Sequence, residues 1–161
     1  MALACAKLRR MTTGIERPRQ AETEIQPPKF TDSQRELIQG FVDGSTENYA
    51  YESLQEDLVA AMEEKSKRLA AIKAIKLGVR FNLVKTENLN PPKEPLTDRQ
   101  LKILVCTHRG LSITQTAKEL DLQIGSVGYM RSATFKKIGV KHFLQASGWV
   151  EKFYREILQR E

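Results

Sequence analysis

The side chains with most chemistry to offer lie in one run, GSVGYMRSATFKKIG, from Gly125 to Gly139. Ser126, Tyr129 and Ser132 recur every three residues, which puts their hydroxyls along one side of a helix. Each hydroxyl can both donate and accept a hydrogen bond. Arg131, Lys136 and Lys137 add fixed positive charge, Thr114 adds a hydroxyl upstream, and Gly128 leaves room for a partner to approach the backbone. This set suits recognition of a hydrogen-bonding, anionic partner. Base edges in a duplex groove are read by hydrogen-bonding side chains, whereas phosphates are held by cations and hydroxyls. In a helix that enters a groove, Ser126, Tyr129 and Ser132 are the candidates for facing base edges, and Gly128 is the candidate for allowing close approach. In the same setting Arg131, Lys136, Lys137 and Thr114 are the candidates for phosphate contact, whereas outside it Lys136 and Lys137 read as an ordinary solvated face.

Nothing comparable exists for catalysis. Cys106 and His108 are two residues apart and His142 is distant, with no second Cys–His pair to complete a zinc site. Cys106 reads as a core residue and His108 as a surface one. No phosphate-cradling glycine loop and no nucleophile elbow are present. The expectation is a protein that is not an enzyme, with no cofactor, no metal and no small-molecule ligand.

The charge distribution agrees with a polyanionic partner. The 161 residues carry a formal net charge of +6, with +3 in residues 1–29, −2 in 30–95 and +5 in 96–161. A basic end segment favours nucleic acid, or less often an anionic membrane surface. No apolar run approaches the ~20 residues that span a bilayer. Two cysteines do not make a disulfide framework, so a reducing, cytoplasmic setting is expected.

The elements that must position these residues are all helical. Residues 1–29 are polar and lack apolar periodicity, and read as a disordered arm carrying Lys7, Arg9, Arg10, Arg17 and Arg19. Thr31-Asp32-Ser33-Gln34 is a capping box that opens a helix ended by Gly44. A second helical stretch runs from about Asn48, with Tyr51, Leu54, Leu58 and Met62 on one face, and continues or breaks near Glu64 before a stop at Gly78. The run TENLNPPKEP, residues 86–95, reads as a linker, because Pro91, Pro92 and Pro95 disfavour helix. Two further capping boxes follow, Thr97-Asp98-Arg99-Gln100 and Ser112-Ile113-Thr114-Gln115. The next helix spans about Gly125 to Lys137, with Val127, Met130, Thr134 and Ile138 inward, and Gly139 stops it. The last, about His142 to Arg160, is strongly amphipathic. The expected fold is all-α: an N-terminal helical module over 30–85, the linker, and a C-terminal module over 96–161. Phe153, Tyr154, Ile157 and Leu158 extend past what the preceding helices can cover and suggest a dimer contact.

In the C-terminal module, Ala117 is small where two helices approach, Leu120 and Leu122 fill the corner, and Val127 faces inward from the second helix. That spacing suits a helix-turn-helix whose second helix enters a major groove. The run from Leu96 to Val140 resembles the LuxR/GerE-type helix-turn-helix family. Leu96, Thr97, Arg99, Leu104, Gly110, Ser112, Ala117, Leu120, Val127, Lys137, Gly139 and Val140 match its pattern, and Ile103 and Ile138 replace similar aliphatics. The resemblance covers about a third of the chain. It implies a four-helix DNA-binding domain, often dimerising through its last helix, in a transcription regulator. Two departures stand in the reading helix: Gly128 replaces the family's lysine and Met130 its histidine.

The first half echoes the second. FTDSQRELIQGFVDG (Phe30–Gly44) aligns without a gap on LTDRQLKILVCTHRG (Leu96–Gly110), and Lys76-Leu77-Gly78-Val79 echoes Lys137-Ile138-Gly139-Val140. This suggests a degenerate first copy, in which Lys65, Lys67 and Arg68 open the counterpart of the reading helix and form a possible second DNA contact. Two readings follow. The first is a sequence-specific DNA-binding transcription regulator, using tandem modules or a homodimer on adjacent sites of double-stranded DNA, from a bacterial nucleoid or a mobile element. The alternative is a protein–protein adaptor or anti-regulator that keeps the fold and binds RNA polymerase or another regulator.

Overall fold

The computed structural model describes residues 26–46 and 56–158, with backbone alone at 57 and 154–158. Residues 1–25 of the basic arm, Tyr51 and Leu54 fall outside the described residues, as do the side chains of Tyr154, Ile157 and Leu158. Seven helices and no strands are present among the described residues: α1 (Asp32–Asp43), α2 (Glu56–Ala61), α3 (Lys67–Arg80), α4 (Asp98–His108), α5 (Ile113–Leu120), α6 (Ile124–Ile138) and α7 (Phe143–Leu158). No helix among them is long and apolar enough to cross a membrane.

The three capping boxes form. Thr31, Thr97 and Ser112 each accept from the backbone N–H three residues on, and Gln34, Gln100 and Gln115 each accept from the cap's own N–H in return. These bonds satisfy donors that a helix start leaves without intrahelical partners. Gly44 and Gly139 end α1 and α6 in the left-handed conformation, at φ 67° and 73°. Gly78 behaves differently from Gly139. It lies inside α3, which runs on to Arg80, and its bare Cα lets Ile38 and Val84 approach to 3.3 Å of where a Cβ would sit. The echo between the two halves therefore fails at this glycine, which serves packing in one copy and termination in the other.

The helices of the two halves are packed as follows. α1 and α2 both pack on α3, as α4 and α5 both pack on α6. α7 lies between the two sets, against α1 and α3 on one side and α4 on the other. Every residue from His142 to Glu151 is buried. The core is correspondingly continuous. Phe41, Ile75 and Leu144, each at most 1% exposed, belong to the same apolar cluster as Leu104, Phe135 and Ile138.

The proline-rich segment 86–95 is not a free tether. Leu89 is 2% exposed. The Trp149 Nε1–H donates to the Asn90 carbonyl at 2.8 Å, and the Lys152 ammonium donates to the carbonyls of Thr86 and Leu89 at 2.8 Å. Prolines give this stretch few backbone donors of its own, but its carbonyls remain good acceptors, and α7 supplies the donors.

The expectation that His108 is a surface residue is overturned. It is 8% exposed, with Nε2 3.2 Å from Glu151 Oε2. Glu151 also accepts from Arg80, with Nη2 at 3.0 Å. This cluster ties α3, α4 and α7 together. The alternating pattern of α4 put His108 off its apolar stripe. What places it inside is α7, which no local signal brings there.

A candidate nucleic-acid interface

Position in the corner between α5 and α6 follows from small local details. Ala117, 3% exposed, lets the two helices approach, and its carbonyl accepts from Leu122 N–H at 2.9 Å. Asp121 makes the turn at φ 52°, a left-handed conformation that Asp tolerates better than most side chains. Val127 and Thr134 are fully buried beneath α6, and Thr134 returns its hydroxyl to the Met130 carbonyl at 2.7 Å. With Phe135 and Ile138, they fix the rotation of α6 about its axis.

That rotation decides what faces outward. Ser126, Tyr129, Ser132 and Lys136 are exposed along one side of α6, and Tyr129 is 78% exposed. The four sit at steps of three or four residues, so they form a single stripe. α6 carries no carboxylate at all. Its N-cap, Gln123, makes no side-chain capping bond, so the N–H groups at the start of α6 carry no side-chain cap. Gly125 and Gly128 lie on this outer side, and a Cβ built on either meets nothing within 4 Å. Thr114 is exposed in the first turn of α5. Ser126, Gly128, Tyr129, Ser132 and Lys136 thus share one side of α6, and Thr114 is exposed on α5.

Two of the sequence-based candidates are placed otherwise. The Lys137 ammonium donates to the Pro95 carbonyl at 2.9 Å and lies 3.5 Å from a Glu94 carboxylate oxygen. Its cation holds the 86–95 segment against α6. Arg131 is half-buried, stacked toward the Phe135 ring at 5.9 Å. Burial, and secondarily the nearby cation of Arg68, lower its pKa from the ordinary arginine value. Ile124, 55% exposed at the head of α6, falls outside the sequence-based candidates. Its apolar type argued for the core, and only the helix rotation turns it out.

Lys65, Lys67 and Arg68 do not open a second reading helix. α3 has no exposed position along its length, whereas α6 has seven. A helix enclosed by α1, α2 and α7 cannot enter a groove. Of the dimer candidates, Phe153 is half-buried, its ring 4.8 Å from that of Trp149. Over Phe143–Glu151, the face that the resemblance assigns to dimerisation is taken up within the chain by α3 and α4.

Gly128 yields a test in which stability and binding move in opposite directions. Replacing it with Ala adds a methyl in open space and removes the glycine penalty, so thermal unfolding should show a gain of about 0.5–1 kcal/mol. The same methyl should weaken duplex binding, measured by fluorescence anisotropy, if the backbone there approaches bases. Tighter or unchanged binding would remove Gly128 from the contact surface.

No curated protein and no solved structure matches the chain. Residues 94–150 match the family model of the bacterial regulatory proteins of the luxR family, GerE. That stretch spans α4 to α6, the exposed stripe and the buried half of α7, so the C-terminal part of this chain is a helix-turn-helix domain of the GerE/LuxR family.

Proposed function

We propose that the protein is a sequence-specific transcription regulator that reads duplex DNA with the outer stripe of α6. The supporting observation is that α6 buries Val127, Thr134, Phe135 and Ile138 on one side and exposes Ser126, Tyr129, Ser132 and Lys136 on the other, without a carboxylate. A rod of this shape fits the wide groove of B-form DNA, where donor and acceptor patterns distinguish all four base pairs. Ser126, Tyr129 and Ser132 contact base edges. Ile124 supplies an apolar surface that suits a thymine methyl. Thr114 and Lys136 hold phosphates on either side.

The regulator has one reading head per chain. The tandem reading needs a second exposed helix, and the enclosed α3 does not supply it. Adjacent sites are then engaged by two chains, and a dimer contact is confined to the distal turns of α7, beginning at Phe153.

Selection from random-sequence duplexes, followed by anisotropy on the enriched site, tests the reading. The wild-type chain should enrich a short motif. Tyr129→Ala should relax it, costing about 1–3 kcal/mol of discrimination, roughly 5- to 150-fold. No enrichment at modest ionic strength would remove the function. Co-purification with RNA polymerase in that case would favour the adaptor reading, for which exposed Ile124 and Tyr129 would be the contact.

A further inference from the structure

The N-terminal half does more than cover α7. Its α3 begins beside the helix-turn-helix. Leu69 Cδ2 and Ile72 Cδ1 lie 2.6 and 3.3 Å from where a Cβ on Gly110 would sit, so the first turns of α3 press on the α4–α5 connection. The Arg68 guanidinium donates from Nη2 to the Leu111 carbonyl at 3.3 Å, one residue before the cap of α5. The same guanidinium lies 4.6 Å over the Phe143 ring at the head of α7. The α5 start that presents Thr114 and the α3 start that presents Lys65 and Lys67 are therefore neighbours.

The charge from Lys65 onward is basic; Glu63 and Glu64 precede it, and Glu64 lies 3.8 Å from the Lys73 ammonium. Lys65 is exposed, and Lys67 and Arg68 are half-buried. The first turn of α3 contains no acidic residue. Among the described residues, neither Arg68 nor Arg131 has a carboxylate within 4 Å. Arg68 Nε is buried without a hydrogen-bond partner. Arg131 feels the Arg68 charge from across the boundary between the halves. Cations at the positive end of a helix dipole do not stabilise that helix. Like charges gathered in this way repel one another and are relieved by an anion.

We propose that Lys65 and Lys67, held in place by Arg68, bind phosphates of the same duplex that α6 reads, extending the phosphate-contacting start of α5 onto the N-terminal half. The inference rests on the DNA-binding reading above. It assigns the first half a backbone contact in place of a second reading head. Such contacts add affinity for every sequence and release counterions, but they carry no base information.

The test is the salt dependence of binding to a mixed-sequence duplex of about three helical turns, with the full chain. The double variant Lys65→Gln/Lys67→Gln should lower the slope of log K against log salt by about 1.8, at 0.9 per phosphate, and weaken binding about 10- to 30-fold near physiological salt. Its selected motif should stay that of the wild type. Lys85→Gln is the charge control. Lys85 is exposed beyond the far end of α3, whose fourteen residues span about 21 Å, and its variant should keep the wild-type slope. Equal effects from Lys85→Gln and the double variant, or an unchanged slope in the double variant, would overturn the proposal and leave the reading of α6 standing. A changed motif would overturn it too, because phosphate contacts do not select sequence. A wild-type chain that binds no duplex at any salt would overturn both.

Discussion

Ile75→Ala should destabilise the whole molecule, by about 2–5 kcal/mol, although Ile75 lies far in sequence from the helix-turn-helix. Ile75 has no exposed surface. Its Cγ2 lies 3.3 Å from where a Cβ on Gly148 would sit, in the middle of α7, and Val42 Cγ2 lies 3.5 Å from the same point. Truncation removes buried methyl groups and leaves a cavity that three helices cannot easily close. Because α7 also packs on α4, the loss propagates to the module that carries α6. The chain offers a built-in reporter. Its one tryptophan, Trp149, is on α7 and bonds the 86–95 segment. Urea unfolding followed by tryptophan fluorescence and by far-ultraviolet circular dichroism should give one coincident transition, shifted equally for both probes in the variant. Two separated transitions, with only the first moved by Ile75→Ala, would show that the halves fold independently.

Removing the carboxylate of Glu151 should cost about 1–3 kcal/mol, since it leaves the buried His108 ring N–H without its acceptor and Arg80 without its partner. The Glu151 side chain is 6% exposed and that of His108 10%, while that of Arg80 is 39% exposed and can turn toward water. The larger part of the loss therefore falls on the His108 side. The cluster also sets the response to acid. Burial acts most strongly on Glu151 and would raise its pKa, but the combined hydrogen bonds and charges of His108 and Arg80 outweigh it and hold the carboxyl below its ordinary value. Burial pushes His108 below the ordinary histidine value, against the opposing pull of Glu151, and Lys76 pushes the same way as burial. The signs coincide. As pH falls below the unfolded histidine value of 6.5, the unfolded chain takes a proton that folded His108 declines, and stability drops. Below the unfolded Glu151 value of 4.5, the unfolded carboxyl protonates first, and stability drops again until folded Glu151 titrates. Chemical denaturation at pH 7.5, 5.5 and 4 should show decreasing stability, and Glu151→Gln should flatten the lower step. Stability that rises from pH 7.5 to 5.5 would mean that His108 is favoured in its charged form.

The helices themselves were legible because their signals are local. The capping boxes at Thr31, Thr97 and Ser112 join residues three apart, and Gly44, Gly110 and Gly139 adopt the positive φ that glycine tolerates. The stripe of hydroxyls on α6 was legible for the same reason, since helical spacing alone aligns Ser126, Tyr129 and Ser132. Gly78 and Ile124 show where local reading stops. A glycine in a helix can be a stop or a gap for a neighbour, and an exposed isoleucine has the same letter as a buried one.

Residue pattern thus determined an all-helical chain and the capped starts at Thr31, Thr97 and Ser112, but neither the break near Glu64 nor the end of α3. Tertiary structure decided what α7 touches. Periodicity gives a helix one apolar side, yet α7 is buried around its whole circumference from Phe143 to Glu151, including Gln145, Ser147 and Glu151. Polar groups stay inside only where distant partners satisfy them. Those partners, such as Arg80 for Glu151 and the 86–95 carbonyls for Trp149 and Lys152, lie 59 to 71 residues away along the chain. Their meeting is a property of packing in three dimensions, which no window of neighbouring residues contains.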